Sequence, residues 1–120
     1  MADTERASLS KLLREGDFTL FTEHRITAEF FQQKDNRKVY EFAQHFWEKY
    51  GEVPTFEAVE AEVPSWQPVK SREPLDWYLD EIRNARAYAI LQGAMVEATK
   101  AMKTADVHET KRLLGEALGL

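Results

Sequence analysis

The stretch Asp35-Asn36-Arg37-Lys38-Val39-Tyr40-Glu41-Phe42-Ala43-Gln44-His45-Phe46-Trp47-Glu48-Lys49-Tyr50-Gly51 decides the fold. Val39, Phe42, Ala43, Phe46 and Tyr50 recur at three- and four-residue spacing, which places them on one face of an α-helix. Tyr40 and Trp47 widen that stripe. Asp35 or Asn36 offers a side chain to cap the first turn, and Gly51 stands where a left-handed residue closes a helix. Five aromatics between residues 40 and 50 make this predicted helix the centre of the core. Truncating Phe46 or Trp47 to alanine is accordingly expected to damage folding rather than a binding site.

Toward the N terminus, Ser8 to Glu15 reads as a shorter helix. Leu9, Leu12 and Leu13 share a face, Ser8 can cap it and Gly16 can stop it. Thr19 to His24 is a second short element, and Thr27 can cap a turn carrying Phe30 and Phe31. Toward the C terminus, Pro54 bars its predecessor from helix and Thr55 can cap a helix through Glu62, with Val59 facing inward. Pro64, Pro68 and Pro74 then mark residues 63–74 as a connector, with Trp66 covering the edge of the core. This predicts a globular helical bundle over 1–73 and a second element over 74–120.

Pro74 suits the first turn of a helix, and no proline follows it. Leu75 to Lys103 therefore reads as one helix about 40 Å long at ~1.5 Å per residue. Tyr78, Ile82, Ala85, Ala89 and Val96 form one apolar stripe, and Tyr88, Leu91, Met95 and Met102 form another beside it. Thr104–Asp106 reads as a turn into a last helix, whose apolar side carries Val107, Leu113, Leu114, Ala117 and Leu118. The expected fold is all-α: a small bundle followed by a long antiparallel helical hairpin. A helix apolar on two faces meets another chain or its own domain body. Tyr88, Leu91, Met95, Met102, Leu114 and Leu118 are thus the candidate residues for self-association or partner docking. A glutamate at Leu91 is expected to separate chains if it lies on the interface, and to unfold one arm if it lies inside the hairpin.

Composition narrows the function classes. The absence of cysteine removes disulfides and thiolate metal sites and fits a reducing, cytoplasmic compartment. No run approaches the ~18 apolar residues of a membrane span, and Met1 to Arg14 lacks the apolar stretch of a signal peptide. A net charge of -5 makes a poor non-specific duplex binder, because that affinity comes from cations neutralising phosphates. The pattern G-x-x-x-x-G-K-[ST] does not occur, so ATP hydrolysis by these residues is not expected, nor is a cofactor. Glu41, His45 and Glu48 share a helix face, but a solvated face explains them better than a metal site, which needs three or four converging ligands. His24 and His108 show no nearby partner set. Arg37, Lys38, Tyr40, Phe46 and Trp47 interleave cations with rings, yet these rings fall at core spacing, whereas strand binding needs them exposed.

The order of local patterns resembles a known family. Glu29-Phe30-Phe31, then Asn36-Arg37-Lys38-Val39-Tyr40, Ala43 and Phe46, then Tyr50-Gly51-Glu52-Val53-Pro54-Thr55 and Val59, resemble the N-terminal domain of DnaB-type replicative helicases. Trp77-Tyr78-Leu79-Asp80-Glu81-Ile82 through Arg86 resembles the first arm of that family's hairpin. Members often carry aspartate where this chain has Thr55, an equally good cap. The resemblance spans roughly Ile26 to Leu118. It implies a non-catalytic collar on a hexameric ring, pairing subunits through the hairpins and docking a primase or a loader. DNA would be met only indirectly through the whole ring, and the RecA-like motor would lie downstream. Three other readings stay open: the helicase-binding domain of a primase, a stand-alone helicase loader or inhibitor, and an enzyme of another type.

Overall fold

The computed structural model describes residues 2–103, and among these it is all helical with no strand. The elements are α1 (Ala2–Glu15), α2 (Thr19–Glu23), a 3-10 turn (Ala28–Phe30), α3 (Lys34–Tyr50), α4 (Phe56–Glu62) and α5 (Leu75–Lys103). The expected turn at Thr104–Asp106 and the last helix, with Leu114 and Leu118, lie outside the described residues.

Helix α3 is the centre of the bundle and packs against α1, the 3-10 turn and α4. It ends as its sequence predicts, on Gly51 at φ 71, whose N–H donates to the Trp47 carbonyl. Its inward face is narrower than the apolar stripe. Asn36, Val39, Tyr40 and Ala43 are buried, and Trp47 packs half-buried against the core, its ring 6.1 Å from that of Phe18. Phe42 also packs half-buried against the core, and from it Phe46 and Tyr50 continue outward as a row of rings, with centroids 6.0 and 4.6 Å apart and Tyr50 exposed. Phe46 is therefore half-buried at the flank, not a core residue.

Tyr40 is the hub of the core. Its ring lies 5.0 to 6.0 Å from those of Phe31, Phe18 and Phe21, and its hydroxyl donates to the Ile26 carbonyl at 2.9 Å. Burial, and secondly the Glu48 charge, push its pKa from 10.0 up to about 12. The unfolded tyrosine loses its proton first, so the stability held by neutral Tyr40 is complete below about pH 10 and is lost as pH rises through about 12. In urea titrations across that window, wild type is expected to lose more stability with pH than Tyr40→Phe. Parallel pH profiles would sink this assignment.

The start of α3 is held by a remote residue. No side chain caps it at Gln33, and neither Asp35 nor Asn36 does so. The carboxylate of Glu5, buried in α1, accepts from Gln32 N–H, Gln33 N–H and Asn36 Nδ2 at 3.0 to 3.3 Å. Asn36 Oδ1 in turn accepts from Trp66 Nε1 at 2.8 Å, and Asp35 accepts from Ser65. Helix α1 itself begins at Ala2, upstream of the expected Ser8 cap. Ser8 lies inside it, and its hydroxyl donates to the Glu5 carbonyl. Thr55, by contrast, caps α4 as its position predicts, accepting from Ala58 N–H.

Residues 63–73 form a strap laid along α1. Val69 N–H donates to Ser10 Oγ, and Arg14 Nη2 donates to the Val69 carbonyl at 2.7 Å. Ser71 Oγ donates to the Ala7 carbonyl, and Tyr78 Oη accepts from Arg72 and Glu73 N–H. Leu75, Leu79 and Ile82 then enter the same core as Leu9 and Leu12. The chain accordingly divides into compact units after Arg83, inside α5, and not at 73/74. Prolines make the strap irregular, but its hydrogen bonds and the root of α5 make it part of the bundle.

Candidate functional site

From Asn84 onward α5 belongs to the second unit. Its apolar residues fall into two sets. Ala98 and Ala101 are buried and Leu91 and Ala94 half-buried, which marks one covered side. Tyr88, Met95 and Met102 are 62%, 54% and 67% exposed. They recur every seven residues, so at about 100° per residue they line one side over ~21 Å. Ile90 and Val96 are exposed as well, on other sides of the helix. Tyr88, Leu91, Gln92, Gly93, Met95 and Val96 line a shallow depression of about 550 Å³.

The Tyr88–Met95–Met102 side carries no charge. Arg86, Glu97 and Lys100 are the only charged residues between 84 and 102, and helical spacing puts all three on the far side. Glu97 and Lys100 pair there at 3.4 Å. Thr99 Oγ1, on the same side as the Tyr88 hydroxyl, donates to the Met95 carbonyl at 2.9 Å and so is turned back onto its own helix. Of the residues expected to form a docking surface, three are exposed together, Leu91 sits at their border, and Leu114 and Leu118 lie outside the described residues. The stripe that begins at Tyr78 is split: Tyr78 and Ile82 are buried in the bundle, whereas Ala85, Ala89 and Val96 are exposed.

Other constellations offer less. His24 does have partners, contrary to the sequence reading: Nε2 lies 2.7 Å from Asp76 Oδ1 and Nδ1 3.5 Å from Asp80 Oδ1. The spacing of Asp76 and Asp80, one turn apart on α5, was the only signal, and it needed the fold to reveal the histidine opposite. The two ring nitrogens face different carboxylates, so this clamp joins the end of α2 to the root of α5 without converging on a point. His45 and Glu48 are exposed and 4.0 Å apart. Among the described residues no group of three or more His, Asp or Glu side chains is arranged to hold a metal. No described helix is long and apolar enough to cross a membrane.

Comparison with protein-family models, curated proteins and solved structures gives no match.

Proposed function

We propose that this chain is a non-catalytic assembly module, the N-terminal collar domain of a DnaB-type replicative helicase, and that it self-associates through α5. The observation that carries the self-association is the uncharged, exposed side of α5 bearing Tyr88, Met95 and Met102. A second copy is the occupant it fits. An uncharged face can meet itself about a two-fold axis without opposing like charges, although the chain as a whole carries -5. Aromatic and methionine side chains are also enriched in interfaces over other surface. The helicase assignment rests on the ordered motifs from Glu29 to Val59 and from Trp77 to Arg86. Docking of a primase or loader belongs to the same reading.

Sedimentation across a concentration series tests it. Wild type is expected to associate, and Met95→Glu or Tyr88→Glu to remain folded by circular dichroism but monomeric, because each would bury an unpaired charge between copies. Leu91 is half-buried, so a glutamate there also disturbs packing within the second unit and discriminates less well. A wild-type chain that stays monomeric at hundreds of micromolar would overturn self-association through this face.

A further inference from the structure

We infer that Met95 and Met102 form an oxidation-sensitive pair through which peroxide switches self-association off. The inference rests on the self-association reading above. Both methionines are more than half exposed, and they stand two turns apart on the uncharged side of α5. The chain contains no cysteine, and its one other methionine is Met1. A two-electron oxidant therefore meets no thiol along these 120 residues, and Met95 and Met102 are exposed soft sulfurs open to it.

The step is a direct oxygen transfer from a hydroperoxide. The sulfur lone pair attacks the terminal peroxide oxygen, the S–O bond forms and the O–O bond breaks. The proton of the transferred oxygen passes to the departing oxygen. With hydrogen peroxide the products are methionine sulfoxide and water; sulfur is oxidised by two electrons and the peroxide is reduced by two. Each event turns a flexible apolar side chain into a strong hydrogen-bond acceptor. Helical spacing leaves Arg86 and Lys100 on the far side, and Thr99 Oγ1 already donates to the Met95 carbonyl. The donors this face does carry, the Tyr88 hydroxyl and the Gln92 amide, are neutral, and a sulfoxide closed into the interface gives up its hydration for at most one of them, which is unfavourable. About a tenfold weakening of association is expected for each buried sulfoxide. The reaction takes place on the dissociated chain, where the sulfurs are open, so association and oxidation oppose each other.

The test is sedimentation of the whole chain before and after hydrogen peroxide, with peptide mass spectrometry locating the added oxygen. A third measurement follows treatment with both stereospecific methionine sulfoxide reductases and a thiol reductant. The expected result is associated untreated protein, dissociated protein carrying oxygen at Met95 and Met102 with its helicity kept, and association regained after reduction. Oxidation at both positions with association retained overturns this inference alone. Loss of association that reduction does not restore also overturns it. Untreated protein that is already monomeric overturns the self-association reading, and this inference with it.

Discussion

Tyr40→Ala is expected to bring the bundle to the edge of unfolding. The side chain is 1% exposed and its ring is shared by three phenylalanines. Truncating a buried large aromatic costs about 3–5 kcal/mol, and the stranded Ile26 carbonyl adds roughly 1 kcal/mol. Domains of this size hold only about 5–15 kcal/mol, and each kcal/mol lowers Tm by about 4–8 °C. A fall of about 15–45 °C in Tm, or no cooperative transition at all, is the expected reading by circular dichroism. Phe46→Ala is the control, because its ring stands half-buried in the outer row; roughly 1–2 kcal/mol is expected there. Equal losses for the two variants would mean that the core does not centre on Tyr40.

Glu5→Ala is the second large effect, for a different reason. It removes no large apolar group and favours the helix it sits in. It leaves Gln32 N–H, Gln33 N–H and Asn36 Nδ2 without their acceptor at the entry to α3. Asn36 Nδ2 is buried and the two N–H groups are part-buried; an unsatisfied buried donor costs about 1–3 kcal/mol, and water reaching the space freed by the side chain offsets part of the loss. A net loss of about 2–4 kcal/mol in urea unfolding is expected, with Glu5→Gln losing about half as much because one oxygen remains. An unchanged urea midpoint for Glu5→Ala would show that the carboxylate does not hold α1 to α3.

The legible parts of the fold were those decided within a few residues. Gly51 closes α3 because its left-handed φ is a local need, Thr55 caps α4 through its own first turn, and Pro74 opens α5. The parts missed were those settled by distant partners. Helical spacing placed Phe42, Phe46 and Tyr50 in the core, yet the side from which α1, α2 and the 3-10 turn approach decides that Tyr40 and Ala43 lie deeper. Asn36 read as a cap and is a buried bridge from Glu5 to Trp66, residues that nothing in the chain order brings together. The same limit applies to α5. Period alone grouped Leu91 with Tyr88 and Met95, and exposure separates them.

The strap over α1 also dictates when the bundle can finish forming. Its hydrogen bonds to Ala7, Ser10 and Arg14 join residues 55 to 64 positions apart. Leu9 and Leu12 share their core with Leu79 and Ile82. Loop-closure entropy grows with the logarithm of that separation, and such long-range pairings slow folding. Synthesis makes α1 before α3 and α5, and α1 rests against α3 with one side still open until the chain has grown past Ile82. The N-terminal helix and the root of α5 are therefore locked together in a single late event of folding.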